Sequence, residues 1–315
     1  MDMEFLRLLE GLRTPFGDLV MQVVTLFGEE TLFMVIAMIV LWCVNKKQGF
    51  FLLYVGFFGA ALNQMLKLIC RIPRPWVRDP SFTIVESARE AATGYSFPSG
   101  HTQSAGGTFF GSARFTSCKW IRAASIAIVL LVAFSRMYLG VHTPADVGVS
   151  LLISGALVLV FWPLFNRSWE NTNKALLLSA VLVTYSVCTV VYAELAAAAN
   201  PGNETLLHGV KTTYQLLGTS IGFLFVKWID DRYIRFDTKA PLPVQLVKVL
   251  GGLSLVILLR LVTKAPLLAL TNGHDSANGI RYLLMTLFGG AVWPLSFPLW
   301  NHLFSKDRKK SEGAA

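Results

Sequence analysis

Three short groups of residues carry charged or reactive side chains at spacings that suit one kind of chemistry. They are Lys67-LICRIP-Arg74-Pro75, Pro98-Ser99-Gly100-His101 and Ser135-Arg136-MYLGV-His142-TPA-Asp146. A phosphoryl group in transfer carries negative charge on its equatorial oxygens, so its catalyst must mainly position it and surround it with fixed positive charge. Lys67, Arg74 and Arg136 are residues of that type, and the arginines add a bidentate fork that fits phosphate. Pro98-Ser99-Gly100 reads as a helix start. It leaves backbone N–H groups free to hold an oxyanion, with the Ser99 hydroxyl as a further donor.

The two histidines of these groups fall into different settings. His142 and Asp146 stand at i and i+4 and share a helix face. A carboxylate on one ring nitrogen fixes the tautomer and leaves the other nitrogen to attack phosphorus. His101 has no carboxylate near it in sequence and suits a general acid that protonates the leaving alkoxide. Taken one at a time, such residues have bland readings: Lys67 and Arg74 could be side chains snorkelling to a membrane surface. His208, His274 and His302 are read that way, as satisfied interfacial residues. The eleven fixed positions of the three groups, in order, would arise by chance with a probability on the order of one in a million.

The patterns K-x6-RP, PSGH and SR-x5-H-x3-D resemble, without substitution, the three signatures of the type 2 phosphatidic acid phosphatase superfamily. Its members include membrane lipid phosphate phosphatases, undecaprenyl-diphosphate phosphatases, soluble acid phosphatases and vanadium haloperoxidases. The resemblance covers roughly residues 30–165. It implies a phosphohistidine on His142, support of that residue by Asp146, and proton donation by His101. It also implies phosphate binding by Lys67, Arg74, Ser99, Gly100 and Arg136, with no metal and no cofactor. The implied substrate is a lipid phosphate or diphosphate, of phosphatidic acid, phosphatidylglycerophosphate or polyprenyl-diphosphate type. A phosphotransferase with a lipid or sugar acceptor would use the same site, because any positioned hydroxyl can capture a phosphohistidine.

The elements that must hold these residues lie in lipid. The chain has 315 residues, 54% hydrophobic and only 15% charged, against about 25% charged in an ordinary soluble domain. A soluble protein this apolar could not cover its surface with polar groups, which excludes a soluble haloperoxidase, a disordered tail and a nucleic-acid binder. The net charge of +9 is read as topology rather than as attraction to nucleic acid. The expected fold is all-α, a polytopic membrane bundle of about nine helices near 18–44, 49–69, 101–116, 120–138, 143–165, 175–197, 209–229, 244–263 and 280–304. Residues 1–170 are expected to form the phosphatase core behind an amphipathic N-terminal segment, and 171–315 a transmembrane extension of unassigned role. A transporter is disfavoured, since no repeated halves are visible and the motif residues gather at one face.

Basic residues cluster in alternate connections: Lys46 and Lys47; Arg114, Lys119 and Arg122; Arg167 and Lys174; Lys227 to Lys248; and Lys306, Arg308, Lys309 and Lys310. The segment 195–208 has none. The first set is therefore expected to be cytoplasmic, with the C-terminus inside and the three motifs at the periplasmic or exterior face of the cell membrane. Arg71, Arg74, Arg78 and Arg89 break this rule in the outer segment 70–98, and anion binding is the expected reason; Trp76 reads as an interfacial anchor. Arg260 and Arg281 are read as snorkelling. Cys43, Cys70, Cys118 and Cys188 lie too far apart for a metal or disulfide framework and are read as buried apolar thiols. The segment 227–243 is the best linker candidate, and the oligomeric state is left open.

Overall fold

The computed structural model describes residues 2–312, with side chains described to Phe304. The described residues form helices and no strand. The C-terminal basic cluster, Lys306 to Lys310, has its side chains outside the described residues. Two compact units are built by interleaved stretches of chain: residues 1–36, 51–164 and 188–213 form the first, and 37–50, 165–187 and 214–315 the second.

The first unit draws on α1 (Asp2–Gly11), α2 (Pro15–Thr25), α3 (Glu30–Ile39), α4 (Lys46–Cys70), the short α5 (Pro75–Arg78), α6 (Gly100–Ala113), α7 (Lys119–Tyr138) and α8 (Pro144–Ser168). α9 (Thr172–Ala198) and α10 (Glu204–Ile229) each give one segment to each unit. The second unit adds α11 (Leu242–Leu246), α12 (Gly252–Val262), α13 (Lys264–Leu270), α14 (Ser276–Leu287) and α15 (Phe297–Glu312).

Six helical segments are long and apolar enough to cross a bilayer, and a seventh span arises if α2 and α3, bent by 50°, count as one. The protein is an integral membrane protein. The expected count of nine is not reached by length and apolarity because of two segments. α6 has 14 residues, about 21 Å of helix against a hydrocarbon core of about 30 Å. α10 is long but interleaves its apolar residues with Thr212, Thr213, Gln215, Thr219 and Ser220. The expected first span, 18–44, is the bent pair.

In lipid the burial pattern inverts. Leu152, Leu159, Leu177 and Leu261 face outward, while Thr102, Gln103, Ser150 and Ser154 are buried. Helices drawn together without a hydrophobic drive need small residues at their contacts. α6, GHTQSAGGTFFGSA, supplies them: a Cβ on Gly106 would lie 2.1 Å from the Ser154 hydroxyl, and one on Gly111 2.7 Å from Leu52. Three of the four cysteines, Cys70, Cys118 and Cys188, are exposed rather than buried, and Cys43 is half-buried. An apolar thiol needs an apolar neighbourhood, and in a membrane protein lipid provides it on the outside.

The segment 70–98 folds over the end of α7. Ala88 and Ala92 cluster with Tyr138, Leu139 and Val141, joined by Trp76 and Val85, and Val85 N–H donates to Leu139 O at 3.1 Å. The N-terminal segment clasps the same region. Arg7 pairs with Asp79 at 2.8 Å, and Arg13 donates to Tyr138 O at 2.8 Å and to Thr83 O at 2.7 Å. α2 then starts on Thr14, whose hydroxyl accepts from Gly17 N–H, with Pro15 at the first helical position.

In the second unit, polar groups tie the helices through lipid. Trp42 Nε1 donates to Gly289 O at 3.0 Å, and Trp293 Nε1 to Lys248 O at 2.9 Å. The stretch 227–243 is pinned by Lys46–Asp230 at 2.9 Å and Lys227–Asp231 at 2.5 Å. Lys248 is fully buried, 4.5 Å from the centre of the Phe297 ring. Arg281 does not snorkel. It is buried and donates to Asn278 Oδ1 at 3.0 Å.

Candidate active site

The third motif folds around one capping arrangement. Thr143 precedes α8, Pro144 opens it, and Asp146 stands in its first turn. Asp146 N–H donates to the Thr143 hydroxyl at 3.3 Å, and Asp146 Oδ2 accepts from Thr143 N–H at 2.8 Å. This is a reciprocal capping box with Asp in the return position, and it fixes the carboxylate beside the residue that precedes the cap. His142 Nδ1 lies 3.4 Å from the same Oδ2, which also accepts the Ser96 hydroxyl at 2.6 Å.

The other ring nitrogen faces a cation. Arg74 Nη1 is 2.8 Å from His142 Nε2 and donates to Val141 O at 3.0 Å. A guanidinium can only donate, so Nε2 carries its lone pair and Nδ1 carries the proton toward Asp146. Arg74 is held further by Gly94 O at 3.1 Å and Thr93 O at 2.7 Å, and its guanidinium lies 5.9 Å from the centre of the Trp76 ring. Trp76 is therefore part of the site's cover. Burial first, and then the charges of Arg74, Arg136 and Lys67, push the His142 imidazole well below its ordinary value of 6.5.

Arg136 ends α7 with no exposed surface. Its carbonyl accepts from Val141 N–H at 3.1 Å and His142 N–H at 3.3 Å, which folds the histidine back onto the helix end. Its Nη1 donates to the Thr25 hydroxyl at 2.7 Å, while Nε and Nη2 are buried with no partner. Lys67 Nζ donates to Tyr95 O at 2.5 Å.

Ser99 caps α6: its hydroxyl accepts from Thr102 N–H at 3.4 Å and the Thr102 hydroxyl at 3.0 Å, and its own N–H donates to Asp146 O at 3.1 Å. The N–H groups of Gly100 and His101 meet no protein acceptor among the described residues. His101 Nε2 is buried and unpartnered, and its backbone lies so close to Gly28 that a Cβ there would sit 2.8 Å from His101 O.

All eight residues singled out from the sequence come together in the first unit. Arg71 and Arg89, from the stretch 70–98, do not join them. Arg71 folds back to donate to Leu68 O at 3.0 Å, and Arg89 pairs with Glu86 at 2.5 Å. Three supporting residues were not foreseen. Thr143 was legible as the Thr of T-P-x-D, a helix-cap signature. Ser96 and Thr25 left no local signal, because each meets its partner only through the tertiary fold.

Two family descriptions match the chain: the PAP2 superfamily over residues 48–170, and the transmembrane extension of PAP2 superfamily phosphatases over 214–302. A protein of Dictyostelium discoideum named probable sphingosine-1-phosphate phosphatase is 29% identical over 48% of this chain and 39% of its own length. An undecaprenyl-diphosphatase of Bacillus subtilis is 31% identical over 38% of this chain and 60% of its own length. One of Sulfolobus acidocaldarius is 30% identical over 38% and 57%. The chain thus spans less than two thirds of the length of each of these relatives. No solved structure matches it. The first family match encloses every residue of the cluster from Lys67 to Asp146 and the second follows it along the C-terminal helices, so the chain belongs to the PAP2 superfamily.

Proposed function

We propose that the protein hydrolyses a lipid phosphate or diphosphate through a phosphohistidine on His142. The observation that carries this reading is the His142 ring: its Nε2 lone pair is turned to Arg74 and its Nδ1–H to Asp146. Phosphate oxygens would take Arg74 Nη1 away from Nε2 and meet the two unpartnered nitrogens of Arg136, Lys67, and the N–H groups of Gly100 and His101. Nε2 then attacks phosphorus as the bond to the alcohol oxygen breaks, and His101 gives its proton to that oxygen. Water next attacks the phosphohistidine, His101 takes the water's proton, and phosphate leaves with His142 restored. The relatives' names, a sphingosine-1-phosphate phosphatase and two undecaprenyl-diphosphatases, support a lipid-borne phosphate.

The site is assigned to the exterior face, on the distribution of basic residues. A tail kept in lipid saves about 0.8 kcal/mol per CH₂ relative to water, which favours entry of the substrate sideways from the outer leaflet. The division at residue 170 into a catalytic core and an extension is part of the same proposal.

In this reading Lys67, Arg74 and Arg136 do the charge neutralisation that Mg²⁺ performs in kinases. Phosphate release from added lipid phosphate is expected in sealed right-side-out vesicles containing excess chelator, without any added acceptor alcohol. Reversible loss with chelator would refute the role given to the three cations. Activity only after the vesicles are opened would invert the topology, and dependence on an acceptor would make the protein a phosphotransferase.

The pH profile follows from the low-lying His142. A histidine attacks only when unprotonated, and a lowered value keeps it unprotonated as the pH falls through 6.5. After correction for the substrate's own phosphate ionisation near ~6, the acid limb of kcat/KM that reports His142 is expected well below pH 6.5. An acid limb centred at or above 6.5 would contradict the environment described for His142.

A further inference from the structure

Directly below the cation cluster, the first unit gathers polar side chains that phosphate chemistry does not use. α4 and α6 run antiparallel in a regular register. A Cβ on Gly111 would lie 2.7 Å from Leu52, one on Gly107 3.8 Å from Gly56 Cα, and one on Gly59 2.7 Å from Gln103 Nε2. That stepping brings the first turn of α6 level with Asn63, one turn below Lys67. α3 enters the same level from the other side. The Phe33 ring rests on Gly56 and meets the Phe57 ring edge-on at 6.3 Å, so Glu30, one turn earlier, comes level with residues 59–60, one turn below Asn63. Gly28 abuts His101.

Asn63 and Gln103 are 5% and 4% exposed; Asn63 Nδ2, both polar ends of Gln103 and the Ser104 hydroxyl have no partner. Glu30 keeps accessible surface and lies within Coulombic range of Lys67. Buried amides left unpaired are rare in folded proteins and call for a partner. A carboxylate in range of Lys67, one of the cations that receive the phosphate, works against that task, since it repels the incoming anion. It becomes useful when the ligand carries a positive group of its own. A diphosphate joined to a bare polyprenyl chain would instead lay hydrocarbon against Glu30, Asn63 and Gln103.

We propose that this level of the first unit recognises the alcohol part of the substrate, and that the substrate is a long-chain amino-alcohol phosphate. Its ammonium, a few bonds from the phosphate ester, meets Glu30, and Asn63 and Gln103 take the neighbouring hydrogen-bonding groups. The inference rests on the lipid-phosphatase reading and narrows it.

The test uses the full chain in detergent and three substrates: a long-chain 2-aminoalkyl phosphate, the alkyl phosphate of equal length without the amine, and a polyprenyl diphosphate. The wild-type protein should favour the amine over its des-amino analogue by at least about tenfold in kcat/KM, the scale of one charge-assisted hydrogen bond. Glu30→Gln should reduce that ratio toward unity. Equal losses on both substrates would make Glu30 a positioning residue for Lys67 and overturn the proposal. So would the absence of a wild-type preference for the amine, a measurement that needs no variant, or preference for the polyprenyl diphosphate. Failure to release phosphate from any of the three would overturn the lipid-phosphatase reading along with it.

Discussion

His142→Ala is expected to abolish turnover while leaving the protein folded. The imidazole is buried and bonded on both sides, by Arg74 and by Asp146, yet neither partner depends on it. Arg74 keeps the carbonyls of Val141, Thr93 and Gly94, and Asp146 keeps Ser96 and Thr143. What disappears is the lone pair aimed at phosphorus, while the other imidazole of the cluster, His101, is assigned to proton transfer with the leaving group. Removing a covalent nucleophile costs at least about ten-thousandfold in kcat, roughly 5.5 kcal/mol of transition-state stabilisation. Steady-state phosphate release checks the loss. Rapid acid-free quenching with labelled substrate checks the cause, since the parent protein should trap a base-stable, acid-labile phosphoprotein and the variant none. A His142→Ala protein that retains label or more than a trace of turnover would remove His142 from the role of nucleophile.

The second large effect is expected at His101. Replacement by Ala should lower kcat on an alkyl ester by about a hundred- to ten-thousandfold, the usual share of a general acid. The loss should shrink sharply with an aryl phosphate whose leaving group departs without a proton. The Cβ that lies against Gly28 is retained in Ala, so the contact between the α2–α3 break and α6 survives. The comparison of the two leaving groups separates acid catalysis from a disturbed site. An equal loss on both substrates would mean that His101 positions phosphate rather than protonating the alcohol, and would exchange its role with that of a binding group.

The candidate site was legible along the chain because its groups are short. Arg136, His142 and Asp146 lie within one helix end, one turn and one helix start, and the T-P-x-D box sets the Asp146 carboxylate beside His142 by local bonding alone. Arg71 shows the limit of such reading. It stands one turn from Lys67 and breaks the charge rule as Arg74 does, yet its backbone turns to a φ of 49° and its side chain caps its own helix. Arg281 shows the same limit in the second unit, where burial beside Asn278 replaces the expected snorkelling.

The sequence by itself determined that the chain lies in lipid, that it is helical, and which eight residues are the candidates for phosphate chemistry. Each of these follows from composition or from contacts a few residues long. Only the tertiary structure decided how Arg74, 68 residues before His142, meets its Nε2, how Ser96 reaches Asp146, and how Thr25 reaches Arg136 across 111 residues. It also decided that the first span breaks at Gly28–Glu30, which brings the Glu30 carboxylate within Coulombic range of Lys67. Hydropathy measures how a segment partitions into lipid and says nothing about which faces meet. The close approach of helices through Gly28, Gly56, Gly59 and Gly106 selects those faces, and with them the partners of every buried polar group.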